Sequence, residues 1–314
     1  MSDALGVSFD RHVGHDYLED YDGRYEYYHK VEEKVAFDLE LFNKITGGGL
    51  SKKTLNVALA GTGVGKSLFM CHVEMSEERI AERIDANLLN LGMDELKVVD
   101  REIFTNRIVK VQKKTQGKLI IKEYPTAAAH AGHFRSLLEE LKLKRDFIPE
   151  LVVIDYLNIC SSARMKHGGA VNSYTYIKSI AEELRGLAVE YNLPLLSATQ
   201  TTRGGYGNSD VELTDTSESF GLPATVDFMF ALMSSEELDN LGQIMVKQLK
   251  NRYADPNYYK RFVVGIDRSK MRLYNVEASA QSNITDSGQD DGPAFDKGDF
   301  GKRIHRNSYD DFKF

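Results

Sequence analysis

Leu55-Asn56-Val57-Ala58-Leu59-Ala60-Gly61-Thr62-Gly63-Val64-Gly65-Lys66-Ser67 carries an apolar run straight into a glycine-rich turn that ends in Lys-Ser. Glycines leave room for successive backbone N–H groups to turn inward around phosphate oxygens, where a side chain would collide. The helix expected to follow adds partial positive charge at its N-terminus. Lys66 is placed to reach the β- and γ-phosphates, and Ser67 to put its hydroxyl on Mg²⁺. The loop Ala60, Gly61, Thr62, Gly63, Val64, Gly65, Lys66 and Ser67 therefore reads as a nucleotide cradle, with Ala60 in a position more often held by Gly. The run before it is apolar without alternation, as parallel strands buried on both faces are.

Composition sets the limits around this motif. A chain of 314 residues makes one large domain or two modest ones. With 42% hydrophobic and 28% charged residues it reads as an ordinary soluble globular protein. No apolar run approaches the ~20 residues that span a bilayer. Met1-Ser2-Asp3-Ala4 offers neither a basic region nor a hydrophobic core, so no secretory signal is expected. Cys71 and Cys160 read as reduced core residues of a cytoplasmic protein. The net charge of −7 excludes a nucleic-acid coat protein and confines any DNA contact to a loop or channel.

The pattern of elements predicts an α/β fold. Residues 1–34 are polar and rich in Tyr, Asp and Glu, and read as a flexible arm with a short amphipathic helix, either solvated or docked on a neighbouring subunit. A short helix over 37–46 is stopped by Gly47-Gly48-Gly49. Residues 76–115 are helical in pattern, 119–121 a strand, 130–144 a helix and 151–154 a fully apolar strand ending in Asp155. A helix over 173–191 leads to a strand over 194–199 and a glycine-rich loop. Strands near 226–232, 243–249, 260–266 and 272–276 follow. Alternating strands and helices imply a mostly parallel sheet, and the last strands, lacking crossover helices, imply antiparallel additions at its edge. Residues 35–277 form the expected core domain. Residues 278–314 shift to Ser, Asp, Gly, Gln and Asn and are expected to be a disordered tail.

Asp155 ends its strand where, in a protein with a phosphate loop, an acid helps to hold Mg²⁺. Gln200 closes the strand 194–199, placed either to sense the γ-phosphate or simply as a strand-end polar residue. With the loop, Asp155 and Gln200 in this order, the chain resembles the RecA-like motor domain of DnaB-family replicative helicases, most nearly their T-even bacteriophage branch. The matching stretches include 12–16, 55–67, Arg83-Ile84-Asp85-Ala86-Asn87, Ala181-Glu182-Glu183-Leu184-Arg185, Gly221-Leu222-Pro223-Ala224-Thr225 and Lys250-Asn251-Arg252-Tyr253. The resemblance implies a homo-hexameric ring that threads single-stranded DNA, moves 5′ to 3′ on ATP or another NTP with Mg²⁺, and meets a primase and a helicase loader in the host cytoplasm. It assigns Lys250 and Arg252 to a finger that enters the neighbouring subunit's site, where a cation stabilises charge on the transferring phosphoryl group. It turns two loops toward the central hole: 161–169, with Arg164 and Lys166, and 201–208, with Arg203 and Tyr206. Gly-rich loops with a few cations follow a phosphate backbone without reading sequence.

One spacing departs from the family. The resemblance assigns the water-orienting carboxylate to Glu74, in Glu74-Met75-Ser76, at the end of a second strand. Glu74 is only eight residues after Lys66, and a parallel crossover with its helix needs at least ~10–12 before the strand is counted. A stretch of about fifteen to twenty residues is thus missing near 73–74. Were residues 67–90 to merge into one helix, Glu74 would lie about 12 Å along its axis from Lys66, at ~1.5 Å per residue. Nucleotide binding would survive and hydrolysis would weaken. The resemblance also implies a collar-forming N-terminal domain in full-length relatives, which this sequence is expected to lack. A helicase motor, a RecA/RadA-like recombination ATPase and a silent nucleotide- and DNA-binding ring subunit are the three functions left open.

Overall fold

β1 (Leu55–Ala60) is buried along its whole length, and the rest of the core is built on its two faces. The computed structural model describes residues 17–19, 21–30, 32–60, 76–115, 117–165, 172–201, 213, 221–281 and 284. They divide into two compact units, Met1–Glu33 and Lys34–Phe314. In the first, α1 (Tyr21–His29) exposes Tyr21, Tyr25 and Tyr28 and buries none of its described residues.

In the second unit β1 lies between β3 (Leu195–Gln200) and β4 (Phe228–Met233), parallel to both. β2 (Val152–Ile154) extends the parallel half beyond β3. β5 (Gln243–Asn251), β6 (Arg261–Asp267) and β7 (Arg272–Tyr274) continue antiparallel from β4, giving the order β2-β3-β1-β4-β5-β6-β7. The expected antiparallel additions are thus present at one edge.

Both faces of β1 are covered, for the period-two reason that successive side chains point opposite ways. Leu55, Val57 and Leu59 pack with Ile177, Ile180, Leu184 and Leu187 of the long helix over Ser173–Glu190. Ala58 and Ala60 face Phe42, Ile45, Phe228 and Phe230. Phe42 sits on α2 (Glu40–Thr46) and meets Phe230 and Phe262 edge-on, at ring separations of 5.0 and 5.3 Å. α2 stops where glycine permits it: Gly47 takes φ 62°, and its N–H closes on the carbonyl of Lys44.

Residues 76–115 fold as three helices, α3 (Glu77–Leu89), α4 (Met93–Leu96) and α5 (Arg101–Lys114). α6 (Ala131–Arg145) and α7, the helix over Ser173–Glu190, flank β2 in sequence. Among the described residues α3 starts at Glu77, so no helix runs unbroken through residue 76. Ser76 has extended dihedrals, φ −58° and ψ 155°, and its hydroxyl caps α3 by accepting from the Arg79 N–H at 3.4 Å.

Three further points differ from what the sequence alone suggests. Residues 119–121 are not a strand; 117–125 are irregular. β2 forms within the expected apolar run 151–154 but is not fully buried. It ends the sheet among the described residues, and Val153 is 44% exposed. Between β2 and 117–125 lies a cavity of about 780 Å³ lined by Leu119, Ile120, Tyr124, Phe147, Val153 and Asp155, among others. Finally, Ala278–Gln281, placed by composition in the tail, form a 3₁₀ turn. Gln281 is buried and exchanges two hydrogen bonds with the backbone of Val263, 3.0 and 2.8 Å.

Candidate nucleotide site

Three of the expected nucleotide-site residues come together at the carboxyl edge of the parallel strands. Ala60 ends β1 with no exposure and pairs in register with Gln200, which ends β3. Asp155 follows directly on β2 and is fully buried. Two side-chain bonds tie this edge together: Ser197 Oγ donates to the Ile154 carbonyl at 2.7 Å, and Thr199 Oγ1 donates to Asn158 Oδ1 at 2.8 Å. With strands ~4.8 Å apart, Asp155 stands about two spacings, roughly 10 Å, from β1. The crevice outside the carboxyl ends of parallel strands is where open α/β sheets bind ligands. A carboxylate, an amide and the residue that begins the expected phosphate loop form a donor set suited to a Mg²⁺–nucleotide. Gly61, Thr62, Gly63, Val64, Gly65, Lys66, Ser67 and Glu74 lie outside the described residues.

Lys250 and Arg252 sit at the other end of the sheet. Lys250 pairs with Met229, itself opposite Val57, and the Arg252 N–H bonds the Asp227 carbonyl at 3.0 Å, level with Leu55. Along β1 that is five residues from Ala60, about 17 Å at ~3.3 Å each. Lys250 Nζ donates to the carbonyls of Pro223 (2.6 Å) and Ala224 (3.2 Å) in α8 (Gly221–Thr225). Burial and the neighbouring Arg252 charge lower its pKa. Neither cation reaches the carboxyl edge of its own chain.

Three residues that the sequence reading gave no role organise these groups. Asp227, 4% exposed, accepts from Arg185 Nε and Nη2 at 3.1 and 3.0 Å, from Arg252 Nη1 at 2.9 Å and from the Leu55 N–H at 3.1 Å. Burial raises its pKa, but these donors outweigh it, and the carboxyl ends below its ordinary value. Glu183 on α7 gathers the start of one expected DNA loop: it accepts from Ser162 Oγ at 2.5 Å and the Ala163 N–H at 2.8 Å. Arg164 is drawn to the same helix, donating to Glu182 at 2.9 Å and to the Ser179 carbonyl at 3.1 Å. Its guanidinium therefore faces acids here. Lys166, Arg203 and Tyr206 lie outside the described residues. Arg185 and Glu183 both fall in the matched stretch 181–185, and that was the available signal.

The DnaB-like helicase C terminal domain model matches residues 35–253. The chain belongs to this family. A DnaB-like replicative helicase of Enterobacteria phage T4 is 43% identical over 296 residues, covering 88% of this chain and 62% of that protein. A probable plasmid replicative DNA helicase of Chlamydia psittaci is 26% identical over 197 residues, covering 60% of this chain and 41% of that protein. The DnaB-like chain thus spans less than two thirds of the curated relatives it matches. The T4 alignment is longer than the part of this chain that it covers. Since 88% of 314 residues is about 276, roughly 20 of its 296 aligned positions have no counterpart in this chain.

Among solved structures, an isolated ATPase domain superposes with a TM-score of 0.69 at 16% identity, covering 84% of this chain and all of that one. A DnaB-like replicative helicase, described with its interactions with primase, gives 0.67 at 16% identity, covering 84% and 68%. At that identity they show the fold alone, a RecA-like α/β fold. Family membership favours the helicase over the recombination ATPase. Among the described residues no helix is long and apolar enough to cross a membrane.

Proposed function

We propose that this chain is the motor domain of a replicative DNA helicase, working as a homo-hexameric ring that moves 5′ to 3′ on single-stranded DNA at the expense of ATP or another NTP. One observation carries the reading. The nucleotide edge, with Ala60, Gln200 and Asp155, and the finger, with Lys250 and Arg252, lie at opposite ends of one sheet. A single chain cannot close its own site, whereas a neighbour presenting its finger can. In this reading the loop 60–67 holds the phosphates, and Ser67 and Asp155 hold Mg²⁺, which neutralises phosphate charge. Gln200 reports the γ-phosphate to the loop after it. Lys166, Arg203 and Tyr206 follow the DNA backbone, with Arg164 joining only if it leaves Glu182. A primase and a helicase loader are the expected protein partners, in the host cytoplasm.

Hydrolysis is proposed to be impaired. Eight residues separate Lys66 from Glu74, too few for a crossover helix and a strand. The roughly 20 unmatched positions in the T4 alignment agree in size with the missing segment. The cavity beside β2 lies where one further strand would extend the parallel half. These observations favour a second reading, a ring subunit that binds nucleotide and DNA without turnover. DNA-stimulated NTP hydrolysis with a Lys66→Ala control, beside unwinding of a forked duplex, separates the two. Turnover with 5′-to-3′ unwinding would sink the silent subunit. Nucleotide binding that Lys66→Ala abolishes, with no turnover, would sink the active motor.

A further inference from the structure

We propose that Asp227 is a positioning residue for Arg252, a carboxylate shared with Arg185 so that the finger can leave it for the neighbouring subunit's nucleotide. The proposal rests on the reading of Arg252 as a group that acts in trans. Asp227 is nearly buried, with a side-chain exposure of 6%, and a buried carboxylate stripped of its cation is strongly disfavoured. Here it has two cations, held unequally. Arg185 grips both carboxylate oxygens, through Nε at 3.1 Å and Nη2 at 3.0 Å. Arg252 uses one nitrogen, Nη1, on Oδ1 at 2.9 Å. The two-nitrogen grip is the stronger and the more directional.

Arg252 is also the more exposed guanidinium, at 49% against 40% for Arg185. When it swings outward, Arg185 and the Leu55 N–H still neutralise and fix the carboxylate. The stem of the finger does not move with it, because the Arg252 N–H is bonded to the Asp227 carbonyl and the Asp227 N–H to the Leu55 carbonyl at 2.8 Å. Asp227 thus holds the finger at a fixed height on the sheet and makes its departure cheap. Because the same carboxylate touches the first residue of β1, the finger a chain lends outward is seated on the strand that leads to its own phosphate loop.

The test reads nucleotide affinity, so it does not depend on turnover. The full chain is titrated with a fluorescent non-hydrolysable ATP analogue, with Mg²⁺ and a single-stranded oligonucleotide present. Arg252→Ala and Asp227→Asn are each expected to weaken binding about tenfold, the scale of one charge-assisted contact. The double variant is expected to be no weaker than Arg252→Ala alone. Each single variant is then mixed with excess Lys66→Ala protein, which keeps its finger but holds no nucleotide. Both are expected to return to within about twofold of wild type, since every intact loop now faces an intact finger.

If Arg252→Ala does not recover, the trans reading fails and this proposal with it. If Arg252→Ala recovers and Asp227→Asn does not, Asp227 serves only its own β1; the positioning role is overturned while the proposed function stands. Should Asp227→Asn lose its cooperative melt, Arg185→Gln carries the test. It leaves Arg252 as the sole cation on the carboxylate and is expected to weaken binding about threefold, with the same recovery. No weakening, or no recovery, overturns the proposal.

Discussion

Burial pushes the ionisable groups of Asp227 and Cys160 in the same direction, and the outcomes differ because their partners differ. Cys160 makes a long contact from Sγ to the Tyr156 carbonyl, 3.8 Å, and burial drives its thiol up to about 12. In a Cys71→Ser background, native protein at pH 8 should therefore resist alkylation by iodoacetamide, and unfolded protein should react at once. Asp227 feels the same burial, but Arg185, the Leu55 N–H and Arg252 more than offset it. Its folded pKa lies below the unfolded value of about 3.9, so its contribution is fully present above that value. That stability is lost as pH falls through the folded pKa. Melting temperatures measured from pH 6 down to pH 3 should drop for wild type. Asp227→Asn should start lower at pH 6 and lose less on the way down. The burial of Cys160 was legible in the sequence, but the Asp227 cluster was not: Asp227 lies 42 positions from Arg185 and 172 from Leu55, and only the sheet brings them together.

Elements whose stability is local read well from sequence, and those that depend on a neighbour do not. The apolar run 55–59, the helix ended by Gly47 and the antiparallel strands all fall close to where periodicity and glycine chemistry put them. Leu119-Ile120-Ile121 has the composition of a strand but no partner strand among the described residues, where the sheet ends at β2. A strand exists only against another strand, and composition does not reveal whether one is there. The same holds for the candidate site. Asp155 and Gln200 are strand ends and were visible as such. Their distance from Arg252 follows from register, which the sequence does not state. α3 offers a small local check. Its cap bond from Ser76 is long, 3.4 Å, so Ser76→Ala should cost about 0.5 kcal/mol in a denaturant melt, the low end for such caps.

Across the whole molecule, the segment after β7 matters more than its polar composition suggests. Gln281→Ala would remove both side-chain bonds to the Val263 backbone on β6. Leaving those buried groups unmet should cost about 1–3 kcal/mol, read as a lower midpoint in urea. The far edge of the sheet behaves in the opposite way. Among the described residues β2 has no strand outside it, and its free side opens on the apolar cavity of about 780 Å³. Solution reporters should be misled by this edge. A hydrophobic dye such as ANS should fluoresce with the native protein while circular dichroism still melts in one sharp step, a pairing usually taken for a loosened core. An unguarded edge is also a template for copies of itself. Turbidity should rise with concentration well below the melting temperature, and Val153→Lys should suppress it while leaving the melt unchanged.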